Sequence, residues 1–165
     1  MKRFMMIAAA VVAAFVLASC SKDPARELLG SYTYKTSGTV TLVAVDCADT
    51  LVASLSPEQG QLHIVRDGAG DGKVVVTFDD LLGNADIADG TVNGKQISLT
   101  GKTRKSIVLT DGILTFGSGQ VDYSGAGRRY DDMLVLDLSY SGAFRMDGID
   151  MVVIDSDVHC VARCN

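Results

Sequence analysis

The side chains best suited to act as bases, nucleophiles or metal ligands are few in this 165-residue chain. There are two histidines, His63 and His159, and four cysteines, Cys20, Cys47, Cys160 and Cys164. A hydrolase built on them needs a nucleophile within hydrogen-bond reach of a base. The sequence holds no Gly-x-Ser-x-Gly elbow. His63 lies between Leu62 and Ile64, an alternation that turns it outward from a strand. His159 and Cys160 are adjacent, and neighbouring strand residues face opposite sides, so they cannot form a base–nucleophile pair. The expectation is a protein that is not an enzyme and has no cofactor.

Metal ligation fares no better. Asp67-Gly68-Ala69-Gly70-Asp71-Gly72 offers two carboxylates on a flexible loop, but a calcium loop of the EF-hand kind needs oxygen ligands at its first, third and fifth positions and a distal Glu. Here the third position is Ala69 and the Glu is missing, so the segment reads as a hairpin tip. His159, Cys160 and Cys164 lack the second cysteine pair of a zinc site. Asp79-Asp80 and Asp131-Asp132 read as solvated strand ends rather than catalytic acids.

One cysteine has a definite chemistry. Leu17-Ala18-Ser19-Cys20 is a lipobox behind a charged start, Lys2-Arg3, and an apolar run from Phe4 to Val16. Small residues before a cysteine invite cleavage by a signal peptidase. The run is shorter than the roughly 20 apolar residues of a spanning helix. Residues 1–19 are therefore expected to be a lipoprotein signal peptide, with Cys20 the lipidated residue and 20–27 a tether. Several acyl chains, each burying about 0.8 kcal/mol per CH₂, anchor stably.

Cleavage leaves 146 residues, enough for one domain with one core. Residues 1–19 take Lys2 and Arg3 and no acid with them, so 13 Lys plus Arg face 20 Asp plus Glu, a net charge of −7. An acidic chain without Trp is poorly equipped to hold phosphates or stack bases, so no nucleic-acid partner is expected. The basic run Lys102-Thr103-Arg104-Lys105 reads as a solvated loop or a guard on a strand edge. An exported chain meets an oxidising compartment, where a disulfide is expected. Cys160 and Cys164 would be roughly 13 Å apart on a straight strand, beyond the ~7 Å limit for a bridge. Cys47 must then pair with one of them, and Cys47–Cys160 is the favoured pair.

The elements that must position these residues are almost all strands. Ser31–Asp46 is rich in Thr, Tyr and Val and breaks near Ser37-Gly38. Gln61–Arg66, Lys73–Asp79 and Met133–Tyr140 alternate with period two, the mark of half-buried strands. Met151–Val161 is expected to place Val152, Ile154, Ser156, Val158 and Cys160 inward. Asn93-Gly94, between 88–92 and 95–100, is a hairpin signal in which both central residues take positive φ. Asp111-Gly112 and Asp147-Gly148 punctuate later strands. Ala25–Leu29 reads as a single helical turn. Strands in close succession with no intervening helix predict an all-β antiparallel meander, closed into a small barrel or stacked as a two-sheet sandwich.

Three stretches carry a resemblance. They are Leu29-Gly30-Ser31-Tyr32-Thr33-Tyr34, then Gly90-Thr91-Val92-Asn93-Gly94-Lys95-Gln96-Ile97, then Tyr130 through Gly142. Together they resemble the calycin-like (lipocalin-like) β-barrel domains of small lipoproteins from gut anaerobes. The resemblance implies a barrel over residues 28–165 whose mouth holds an apolar ligand, and it implies no catalytic residue. By similarity to Gram-negative lipoproteins, Ser21 after the acylated cysteine argues against retention at the inner membrane. That places the chain at the outer membrane, on its periplasmic face or the cell surface.

The functional expectation is a membrane-anchored barrel binding a small apolar or glycan-derived ligand. Its pocket would be lined by Tyr32, Val76, Phe78, Leu136, Leu138 and Tyr140. The alternative is a filled core and an interaction module for envelope proteins, with Val75, Met133, Val135, Met151 and Val153 on the outer face.

Overall fold

The computed structural model describes residues 23–47, 49–68, 71–81, 83–110 and 114–165, without the side chains of 107–110 and 114–116. Cys20, the signal peptide, the start of the tether, Asp111-Gly112 and Ala69-Gly70 lie outside the described residues. Nine antiparallel strands account for most of the remainder: β1 (Gly30–Ala44), β2 (Thr50–Leu55), β3 (Gln59–Arg66), β4 (Lys73–Asp80), β5 (Ala85–Asn93), β6 (Gln96–Thr110), β7 (Leu114–Tyr130), β8 (Met133–Met146) and β9 (Ile149–Cys164).

From β3 to β9 each strand pairs with the next, and β1 pairs with both β3 and β9. The hydrogen bonds therefore close into a ring. The ring differs between its two ends because β1 changes partners. Its first half, Gly30–Lys35, pairs with β3, whereas Thr39–Val43 pairs with β2. β2 in turn reaches β6 at Ser54 and Leu55. Eight strands thus surround one end and six the other, with β1 and β6–β9 common to both.

The break expected at Ser37-Gly38 is absent: β1 runs through it without interruption. Gly38 makes this possible. A Cβ there would sit 2.2 Å from the Asp157 carbonyl oxygen, so only glycine lets β9 lie this close where β1 switches partners.

Alternation directs every second residue inward. Tyr32, Tyr34, Thr36, Val40, Leu42 and Ala44 of β1 are buried, as are Leu62 and Ile64, Val74, Val76 and Phe78, and Leu134, Leu136 and Leu138. The eight-strand end is capped by a single helical turn. The Leu28 N–H donates to Ala25 O at 2.9 Å, and the Ala25 and Leu28 side chains are fully buried. Pro24–Glu27, read from sequence as tether, thus packs as part of the body.

β9 departs from the expected alternation. Thr41 faces Asp155 but Leu42 faces Val153, so Ile154 is an extra residue, a bulge. One inserted residue reverses the faces before it. Met151 and Val153 point inward, whereas Val152 and Ile154 are exposed. After the bulge, Val158 and Cys160 are buried as expected.

The turns also sort themselves. Asp147 and Gly148 both have positive φ, at 50° and 84°, the type I′ pattern. At the other hairpin Asn93 pairs with Gln96, so the loop is Gly94-Lys95 and only Gly94 turns positive, at 61°. That pattern is type II′ instead.

The disulfide Cys47–Cys160 is not formed. Cys47, Cys160 and Cys164 are free thiols. Thr36 lies opposite Cys160 and Ala44 opposite Met151, so the register separates Cys160 from the end of β1 by eight residues. At about 3.3 Å per residue this is roughly 26 Å, far beyond a disulfide's reach.

Candidate functional site

The interior holds a row of four aromatic rings drawn from four strands. Tyr34 of β1 meets Phe78 of β4 edge-on at 5.3 Å between centroids. Phe78 meets Tyr123 of β7 at 6.4 Å, and Tyr123 meets Tyr140 of β8 at 5.9 Å. Gly101 makes room for the row. A Cβ at that position would lie 2.7 Å from the Tyr123 ring, so the hydroxyl end of Tyr123 lies close against the β6 backbone.

Beside the rings sits a partly buried ion cluster. Lys105 is 8% exposed, and Thr103 next to it on the inward face is 5% exposed. The Lys105 ammonium contacts Glu58 Oε2 at 2.5 Å and Asp86 Oδ2 at 3.6 Å. The Thr103 hydroxyl donates to the same Asp86 carboxylate. Glu58 belongs to the link between β2 and β3, and Thr36 fixes it: the Glu58 N–H donates to Thr36 Oγ1 at 3.0 Å, and the Thr36 N–H donates to Glu58 O at 2.8 Å.

The cluster marks a seam in the wall. β6 pairs with β5 only as far as Gly101 and with β2 only from Ile107. Lys102–Ser106 lies between. The basic run expected to be a loop or an edge guard is therefore a strand at an interrupted edge. Lys102 and Arg104 are exposed, as a guard requires, while Thr103 and Lys105 face inward. Counting by twos from Ile97 and Leu99 through Gly101 would have found them; their polarity hid them.

The rings and ions act on each other. Burial is the main cause of the raised pKa of the Tyr34, Tyr123 and Tyr140 hydroxyls, and Glu58 and Asp86 push all three further up. Cys160 is pushed up to about 12, chiefly by burial, with Lys105 pulling down and Glu58 pushing up. One atom stands out. The Tyr123 hydroxyl is buried and has no hydrogen-bond partner among the described residues, although buried hydroxyls almost always find one.

The residues expected to line a pocket divide into two groups. Tyr32, Val76 and Leu136 are fully buried filler near the capped end, and the Tyr32 hydroxyl donates to Leu28 O at 2.8 Å, tying the cap down. Phe78 and Tyr140 belong to the aromatic row, and Leu138 pairs with Gly125 beside it. Sequence reasoning missed Tyr34, Tyr123, Glu58, Asp86 and Lys105.

Both histidines lie on the outside. Ser31 Oγ, His63 and Asp79 follow one another at 2.9 Å and 3.5 Å, the order of a hydrolase triad. They lie on an open strand face whose backbone N–H groups belong to the β1–β3–β4 ladders, so no donors remain there for an oxyanion. His159 bridges Asp137 at 2.7 Å and Asp157 at 3.2 Å on another exposed face. A groove of about 620 Å³ crosses the outside of β5–β7 beside Asp89, Lys102 and Asp122.

No protein-family model and no curated protein matches this chain.

Proposed function

We propose that this chain is a lipid-anchored, non-enzymatic binding module of the outer membrane, acylated at Cys20 after loss of residues 1–19. On this reading its ring of strands is a small calycin-like barrel that holds a small, largely apolar ligand. Support for closure is the ring of ladders itself, which leaves few sheet edges open. Support for ligand binding is a single observation, the partnerless Tyr123 hydroxyl inside the aromatic row. Proteins rarely retain such a group unless something fills its hydrogen-bonding capacity. The test is native mass spectrometry of the full-length chain from its own envelope. A reproducible small-molecule adduct lost in Tyr123→Phe is expected, and an adduct-free protein would overturn the reading.

The second reading, a module for envelope proteins, draws on the outer face. Val52 and Ile154 are 62% and 59% exposed, near Val43 and Val152, which pair across β1 and β9. A protein partner captured through this strip, with the interior empty of ligand, would favour it.

A further inference from the structure

We infer that the seam between β5, β6 and the β2–β3 link is a seat for a small organic ammonium ion, held by Asp86 against the rings of Phe78 and Tyr123. The inference rests on the binding-module reading and adds the chemistry of the ligand to it.

Register and charge carry it. Asp86 faces Phe78 directly across β4 and β5. Ala88, the next inward residue of β5, faces Gly101, over which the Tyr123 ring lies. Asp86 is therefore placed beside both rings. The cluster is also short of positive charge, because one ammonium, Lys105, serves two carboxylates. Lys105 is closer to Glu58 than to Asp86, 2.5 Å against 3.6 Å. Asp86 is thereby left with a hydroxyl donor, Thr103, and a distant ammonium. A partly buried carboxylate with incomplete compensation favours a second cation. Aromatic faces attract the same ion through their quadrupole, and the orphan Tyr123 hydroxyl supplies an acceptor for its N–H. An anionic ligand would meet repulsion from both carboxylates.

The side chains of Asp86 and Glu58 are 28% and 25% exposed, so the seat has an approach from solvent. It lies where β6 lacks a partner strand on one side, over Lys102–Lys105, before the Ser106 carbonyl accepts from the Ser56 N–H at 3.1 Å. A ligand can enter there without opening either ring of strands.

The probes are n-butylammonium and its neutral counterpart n-butanol, titrated into the full-length chain in a maltoside detergent, whose head group is uncharged. Ring resonances of Phe78, Tyr123 and Tyr140 report the seat by NMR at constant ionic strength. Saturable shifts with butylammonium are expected, with an affinity roughly tenfold or more above that for butanol, the scale of a desolvated cation–aromatic contact. Asp86→Asn should abolish this preference, whereas Asp122→Asn, in the outer groove, should leave it intact. Because Asp86→Asn is open to misfolding, the wild-type comparison of the two probes decides independently. Equal binding of butanol and butylammonium would overturn the charge argument while leaving a binding module standing. Shifts with neither probe, alongside a native adduct of other chemistry, would overturn the ammonium seat alone. Shifts with neither probe and no adduct would overturn both.

Discussion

Two tyrosines buried in the same core should respond to loss of their hydroxyls with opposite signs. Tyr123 is 5% exposed and its oxygen has no partner among the described residues. An unpaired buried hydroxyl costs the folded state about 1–3 kcal/mol. Tyr123→Phe removes that penalty and leaves a void of one oxygen, about 10 Å³, which at ~24 cal/mol per Å³ takes back roughly 0.2 kcal/mol. The net expectation is a gain of about 1–2.5 kcal/mol, or a rise in Tm of roughly 3–10 °C for a domain of this size. Tyr32→Phe is the control. It loses the bond to Leu28 O, strands that carbonyl beneath the cap, and should lower stability by about 1–2 kcal/mol. Calorimetric or dichroism melts of both variants in ligand-free protein measure the difference. Were Tyr123→Phe to melt lower than wild type by an amount like that of Tyr32→Phe, the hydroxyl would have a partner in solution and the argument from its isolation would fail.

Other consequences follow from the same geometry. Lys105→Met should destabilise by about 2–4 kcal/mol, toward the low side of the range for a broken buried pair because both carboxylates meet some water. A neutral effect in urea melts would mean the cluster is not coupled to folding. The pKa values of Tyr32, Tyr34, Tyr123 and Tyr140 are raised, mainly by burial, and that of Cys160 to about 12. The unfolded chain therefore sheds protons first as pH climbs past 9–10, where exposed thiols and phenols ordinarily titrate. Stability should be full below that window and fall steeply above it, with tyrosinate absorbance from the core lagging until the melt; a flat Tm across this range would contradict the burial. Ellman's reagent should modify exposed Cys47 and Cys164 quickly and Cys160 only at the rate of unfolding; equally fast labelling of all three would contradict the burial of Cys160. Cys20→Ser should abolish incorporation of labelled fatty acid and release the chain from the membrane; retained label would refute the lipobox reading.

Local chemistry made much of this molecule readable in advance. Period-two alternation gave β3 and β4 nearly to the residue, since an inward aliphatic every second position has no other economical use. The helical turn at Ala25–Leu28 and the hairpins at Gly94 and Asp147-Gly148 came from backbone preferences that operate within a few residues. β2 and β7 were harder to see. β2 is six residues long, and β7 carries glycines at 117, 119, 125 and 127 that dilute its pattern. The bulge at Ile154 was invisible because a bulge is a property of two paired strands, and it reversed the faces of Met151, Val152 and Val153.

The candidate site was the least legible part. Glu58, Asp86, Lys105 and Tyr123 are separated by up to 65 residues along the chain, and no spacing rule links them. They meet because β1 exchanges β3 for β2 midway and leaves β6 with an open edge. That exchange depends on how nine strands share a circumference, a constraint felt only once the ring closes. Sequence alone determined which residues prefer extended backbone and which turns are tight. Only the folded ring decided that a lysine points inward, that two cysteines stand a strand's length apart, and that a tyrosine hydroxyl is left without a partner.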